Sequence, residues 1–321
     1  MAASPEKPPI DNAFRAETLL GGAEDPTYAG ALSFMRRRYS RDLAGVDVAI
    51  LGVPSDLAVS NRPGARFGPQ AIRRASAMLD GDPQFPWGVD IFADMAAVDC
   101  GDCALDLHHP DTVAGAIEAD ARRIVEAGVH LLALGGDHFV SWPLMKVHAA
   151  RHGPLALVQF DAHQDTWADD SARISHGCFV LRAVREGLVD PERSIQIGVR
   201  THAPETAGIE VVSAYEVHRS GIIAVTEQIV ERVGDAPAYL SFDIDCLDPA
   251  CAPGTGTPVA GGLTSAQALM ILAGLGRLRF VGADVVEVSP PYDHADITAL
   301  AAATVAQHYL GLLARRRAAA A

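Results

Sequence analysis

The stretch "LALVQFDAHQDTW" (155–167) sets an apolar run, Leu155 to Phe160, directly against a polar loop. In that loop Asp161, His163 and Asp165 stand two residues apart. A short apolar run bounded by a turn reads as a buried strand, because a helix needs roughly ten residues or more. Three ligand-type side chains in so short a loop have three readings at this point. They are a metal site, a catalytic pair with a spare, or an acidic loop tip.

The same pattern recurs outward along the 321 residues. Apolar, β-branched runs are expected as strands at 46–53, 95–101, 129–136, 155–160, 194–199, 209–214, 238–244 and 280–288. Ala-rich helical stretches are expected at 68–79, 111–127, 141–151, 178–186, 221–233, 264–275 and 296–314. Near-continuous apolar strands alternating with helices predict an α/β fold whose parallel sheet is covered on both faces. Whether the sheet closes into a barrel stays open here. No repeat of roughly 20–50 residues is visible, which argues against a solenoid. Residues 1–40, rich in Pro, Arg and acids, are expected to form an N-terminal arm against a surface or a neighbouring subunit. Residues 41–321 are expected to form a single catalytic domain. The ending "LLARRRAAAA" (312–321) reads as a frayed helix end. Its Arg315, Arg316 and Arg317 suit the negative end of the helix dipole, and solvent can take their charge.

A formal net charge of −14 disfavours nucleic acid and anionic membranes as partners. The start "MAASPEKPPIDNAF" shows no apolar h-region, so no signal peptide is expected. No apolar run approaches the roughly 18 residues of a membrane span, so none is expected. Cys100, Cys103, Cys178, Cys246 and Cys251 are odd in number, do not suggest a disulfide framework and fit a reducing cytoplasm. "CGDC" (100–103) lacks a second Cys or His pair at zinc-finger spacing.

Parallel α/β sheets bind ligands at the carboxyl ends of their strands. "GGDHF" (135–139) puts Asp137 and His138 there, and "DIDCLDP" (243–249) puts Asp243, Asp245 and Asp248 there. Glu287 follows the last strand core in "VEVSP" (286–290). Alone, each has a plain reading: His138 as a turn residue, Asp243 and Asp245 as strand-end acids, Asp248-Pro249 as a turn. Together, His138, Asp161, His163, Asp165, Asp243 and Asp245 carry too much negative charge for one zinc, whose structural sites prefer Cys and His. Mixed carboxylate and imidazole donors suit Mn2+ or a similar metal, with Ni2+ and Co2+ also compatible. Four carboxylates neutralise two divalent cations. That predicts a two-metal site, with ions roughly 3.5–4 Å apart, that acidifies water and makes hydrolysis the leading reaction class.

With these motifs in hand, the chain resembles the ureohydrolase family, which includes arginases, agmatinases and proclavaminate amidinohydrolase. The resemblance rests on "RPGARFGPQAIR" (62–73), "GGDHF", "DAHQDT" (161–166), "SFDIDCLDPACAPGTGTPVAGGLT" (241–264) and "VVEVSPPYD" (285–293). Agmatinases are the most similar branch. The resemblance implies an open three-layer α/β/α sandwich with a parallel sheet of about eight strands, usually assembled as a homotrimer or homohexamer. It implies that His138, Asp161, Asp165 and Asp243 hold one Mn2+ and that Asp161, His163, Asp243 and Asp245 hold the other. Asp161 and Asp243 would bridge the pair, and Asp165 would take a proton from the attacking water. Glu287 would grip the guanidinium, a planar pairing that suits a carboxylate. His176, in "SHG" (175–177), would pass a proton to the leaving amine. The implied reaction releases urea and an amine from a small cationic guanidine substrate, with agmatine giving putrescine as the first expectation. Alternatives are 4-guanidinobutanoate, guanidine or an alkylguanidine. A zinc deacetylase of related fold or a silent subunit fits the complete ligand set less well.

Two positions depart from the family pattern, Gln164 and Cys178, where relatives carry Ser or Thr, and Thr. Neither removes a ligand. Gln164 is expected to face away from the metals if the loop alternates. The segments 56–63 and 167–175 are expected to form the mouth, where Asp169 and Asp170 suit an ammonium tail and Asn61 and Arg173 a carboxylate tail.

Overall fold

The structure is a computed structural model that describes residues 11–23, 25–79, 83–168 and 175–320. Nine strands form one sheet among the described residues. They are β1 (Arg38–Tyr39), β2 (Val48–Val53), β3 (Ala97–Asp102), β4 (His130–Gly135), β5 (Ala156–Phe160), β6 (Ile195–Val199), β7 (Glu210–Ser213), β8 (Pro237–Asp243) and β9 (Arg279–Val286). Their spatial order is β1-β3-β2-β4-β9-β8-β5-β6-β7, and every neighbouring pair is parallel. The sheet is open. The eight expected strands are all present, and the ninth is the two-residue edge strand β1, too short to carry a sequence pattern.

Alternate residues feed opposite layers, as the two-residue period of a strand requires. Val48, Ile50, Leu132, Leu134, Val158 and Phe160 face one core, while Ala49, Leu51, Leu131, Ala133 and Leu157 face the other. Helices Gly68–Ser76, Ile222–Val233, Ser265–Gly274 and Ile297–Ala320 supply Ile72, Ile229, Ile271 and Tyr309 to the first core. Helices Pro110–Glu126, Ser141–His152 and Phe179–Arg185 supply Ile117, Leu144 and Phe179 to the second. This is the three-layer α/β/α sandwich.

Phe34 and Met35, at the end of the N-terminal segment, are fully buried in the first core. Asp99 of β3 anchors this segment by accepting from Phe34 N at 2.7 Å. The same carboxylate receives Arg73 Nε at 2.8 Å and Nη2 at 2.9 Å, a bidentate pair whose charges offset each other inside the protein.

The C-terminal helix corrects two expectations. It runs on to Ala320 instead of fraying after 314. Arg316 Nη1 donates to Leu278 O at 2.7 Å and Arg317 pairs with Asp47, so these arginines tie the helix to the sheet rather than to solvent alone. Ile297–Ala318 is also long and apolar enough to cross a membrane by composition, yet 67% of its most apolar window is buried within the fold. Cys100 and Cys103 are buried free thiols. Burial pushes Cys100 up to about 11 and Cys103 further, which makes both inert.

Candidate metal centre and catalytic groups

The sheet order brings the candidate ligands together. His138, the loop after β5, Asp243 with Asp245, and Glu287 are far apart in sequence. Their strands β4, β9, β8 and β5 are consecutive neighbours, so all four carboxyl ends open on one edge.

His138 begins a 3-10 turn, His138–Val140, capped by the Asp137 side chain accepting from Phe139 N. Asp137 Oδ2 also accepts from Ala58 N at 2.9 Å, which joins the turn to the mouth segment. His138 Nδ1 lies 3.1 Å from each of Asp161 Oδ2, Asp165 Oδ2 and Asp243 Oδ2. It is buried and has no hydrogen-bond partner of its own. His163 Nδ1 lies 3.1 Å from Asp245 Oδ2 and 3.4 Å from Asp161 Oδ1. The two oxygens of Asp161 therefore serve different clusters, His138–Asp161–Asp243 and Asp161–His163–Asp245. Donors around one small cation held at about 2.1 Å stand about 3 Å apart when they meet at right angles. The orphaned nitrogen, the spacing and the charge all fit two divalent cations sharing Asp161.

The protonation pattern says the same. Burial alone would depress His138, but Asp161, Asp165 and Asp243 reverse this and hold it well above its ordinary value. Burial opposes a charge on His163 too, and Asp245 and Asp161 outweigh it, lifting it to about 12. Burial, then Asp245 and Asp161, push Asp243 well up. Burial and the neighbouring Asp161 push Asp165 up as well. Such a set of like charges needs cations to be fully ionised.

Glu287 follows β9, between the strands that lead to His138 and to Asp243. Its Oε1 accepts from His138 N at 2.9 Å and from His176 Nδ1 at 2.8 Å. Its Oε2 is buried with no partner. Gly256 keeps that oxygen reachable, since a Cβ there would come within 3.2 Å of it. His176 Nε2 meets Ser60 Oγ at 2.8 Å, and Ser60 is exposed, so the imidazole links solvent to the buried carboxylate. Burial lowers His176, but Glu287 outweighs it and lifts it to about 9. Asp165 and Glu287 both adopt left-handed backbone, φ 52° and 65°. That conformation is unusual for non-glycine residues and clusters at functional sites.

Other residues support the ligands and were not expected from sequence. Gln159 Nε2 donates to Asp161 Oδ2 at 2.6 Å and is itself held by Gln196 Nε2 at 2.7 Å. Arg200 donates to the carbonyls of Asp245, Cys246 and Leu247 and so fixes the second ligand loop. Gln159 and Gln196, uncharged polar residues within apolar strands, were the available signal. Gln164 points away from the ligands, as expected, and its Oε1 accepts from Ala203 N at 2.8 Å. Cys178 Sγ contacts Ala168 O at 3.4 Å. Asp248 is a turn residue whose carboxylate accepts from Ala250, Gly261 and Gly262 N. At the mouth, Trp167 N donates to Gly177 O at 3.1 Å and its ring stands 6.4 Å from that of His163. Asn61 Nδ2 donates to Gly256 O at 3.2 Å. Asp169, Asp170 and Arg173 lie outside the described residues.

This sheet, with carboxylates and imidazoles converging at four adjacent strand ends, defines a metal-dependent hydrolase of the arginase type. The arginase family profile matches residues 46–311, and the chain belongs to that family. It is an amidinohydrolase. An agmatinase from Chromobacterium violaceum is 53% identical over 309 residues, covering 96% of both chains. One from Neisseria meningitidis serogroup B is 46% identical over 298 residues, covering 92% of this chain and 97% of the other. A crystal structure described as a hypothetical agmatinase from Burkholderia thailandensis superposes with a TM-score of 0.95 at 53% identity, covering 96% of this chain and 99% of that one. Proclavaminate amidinohydrolase from Streptomyces clavuligerus superposes with a TM-score of 0.86 at 38% identity, covering 91% and 100%.

Proposed function

We propose that this protein hydrolyses agmatine to putrescine and urea with two divalent cations, Mn2+ in the first instance. The observation that carries the reading is Glu287 Oε2, a buried and unpartnered carboxylate oxygen beside the two ligand clusters. A guanidinium is the planar, multiply donating cation that satisfies it. The relatives called agmatinases support the choice of guanidine.

His138, Asp161, Asp165 and Asp243 would hold one ion, and Asp161, His163, Asp243 and Asp245 the other. When bound, the two cations supply acidified water near neutral pH and charge stabilisation for the hydrolysis. Asp165 would take the proton that this water gives up. Glu287 accepts from the guanidinium N–H groups and orients its carbon toward the ligand clusters. His176, protonated through its contact with Glu287, hands a proton to the leaving amine and recovers one through Ser60. The protein is proposed to act in the cytoplasm as a homotrimer or homohexamer, which light scattering of the purified chain measures.

The test is urea release from agmatine, 4-guanidinobutanoate, arginine, guanidine and alkylguanidines after loading with Mn2+, Ni2+ or Co2+. Agmatine with Mn2+ is expected to give the highest kcat/KM. No release from agmatine under any of the three metals rejects the substrate assignment.

A further inference from the structure

Asp284 lies on β9, the central strand of the sheet, and is fully buried. A carboxylate there is costly unless its charge is fully met by donors. Tyr239 OH donates to its Oδ2 at 2.8 Å and Ser241 Oγ donates to its Oδ1 at 2.7 Å. Ser241 Oγ in turn stands 2.8 Å from His138 Nε2. The proposed function uses neither Asp284 nor Ser241.

We infer that Asp284 is a positioning residue which, through Ser241, fixes the tautomer of His138 and so readies its Nδ1 for one of the two cations. A serine hydroxyl has one proton. Here that proton is committed to Asp284, so toward His138 the oxygen is left as an acceptor. His138 must then carry its proton on Nε2. Of the two neutral forms of the ring, only the one with a lone pair on Nδ1 satisfies this contact. Nδ1 is the orphaned nitrogen facing Asp161, Asp165 and Asp243. Without Asp284, Ser241 is free to turn and donate to Nε2, which places the ring proton on Nδ1, where a cation needs a lone pair. Outer partners of this kind typically tune metal affinity by about 10–100-fold. Tyr239 also holds Asp284 but does not touch His138, and this makes it the internal control.

The inference rests on His138 being a metal ligand, and the experiment separates the two. Mn2+ binding to the full-length chain is measured by competition with a chelator and by the EPR signal of free Mn2+. His138→Ala should lose one of two ions; if it keeps both, the ligand assignment itself fails. Ser241→Ala should weaken one ion by about 10–100-fold and leave the ion at His163 unchanged. Asp284→Leu, made together with Tyr239→Phe so that the phenol is not orphaned, should weaken the same ion, while Tyr239→Phe alone should not. Because Asp284 acts through Ser241, adding its replacement to Ser241→Ala should cause little further loss. Should the Asp284 variant not fold, wild-type affinity in Ser241→Ala still overturns the inference. With His138→Ala losing one ion, wild-type affinity in Ser241→Ala, equal weakening of both ions, or full additivity in a folded combined variant overturns the inference.

Discussion

His176 Nδ1 lies 2.8 Å from Glu287 Oε1, and this contact joins the proposed proton donor to the proposed guanidinium anchor. Replacing His176 by Asn removes the donor but no ligand. It is expected to lower kcat about 10²–10⁴-fold with both ions retained, as measured by urea release and metal analysis of the same preparation.

The same pair carries a pH dependence of stability. Glu287 raises His176 to about 9, above its unfolded value of about 6.5. The stabilisation is therefore complete below 6.5 and is lost as pH rises through 9, at about 1.4 kcal/mol per pH unit. Urea unfolding of the metal-free protein should show this alkaline decline, and Glu287→Gln should flatten it. An unchanged slope in that variant argues against the pairing.

A second titration works in the opposite direction. Burial pushes His130 down to about 4 and His148 down to about 3. Both are neutral in the fold, while the unfolded chain takes up protons below about 6.5. Stability is thus full above 6.5 and falls by about 1.4 kcal/mol per pH unit for each histidine as pH drops toward 4. Both ring nitrogens of His148 are buried without partners, so His148→Phe loses no hydrogen bond. Denaturant midpoints at pH 7.5 and 5 should differ less in that variant than in the wild type.

Metal removal should destabilise the fold. An ion at one hundred times its Kd adds about 2.7 kcal/mol, provided the unfolded chain does not bind it. Its ligands must first shed protons, so the gain grows with pH. The rise in Tm on adding Mn2+ should be greater at pH 8 than at pH 6, and Asp245→Ala should reduce it. An equal rise at both pH values would contradict ligation by His138 and His163.

Gly136 precedes the turn that carries Asp137 and His138. A Cβ there would lie 1.8 Å from Ser55 O, a backbone atom that cannot swing aside. Gly136→Ala is expected to cost about 3 kcal/mol or more and to shift His138. Calorimetry and metal content should both fall; wild-type values in both would show that the loop adjusts freely.

Much of the architecture was legible from period and composition. Runs such as Leu155–Phe160 are apolar enough to be strands buried on both faces, and each ends in a turn that exposes ionisable groups. The helix Ala214–Ser220 was missed, although Ser213 and Glu216 form its capping box, a local signal that was there to be read. The strand β1 carries no such signal, because two residues cannot show a period.

The sequence by itself determined which side chains are candidate ligands, since residue type and strand-end position depend only on local chain chemistry. Tertiary structure decided which of them meet. The order β4-β9-β8-β5 sets candidate ligands from distant segments side by side, and it lets Asp161 turn one oxygen to each cluster. It also decided the support. Gln159, Arg200, Ser241 and Asp284 resemble any buried polar residue in sequence, and their partners lie on other strands and loops, brought within hydrogen-bond reach only when the sheet is assembled.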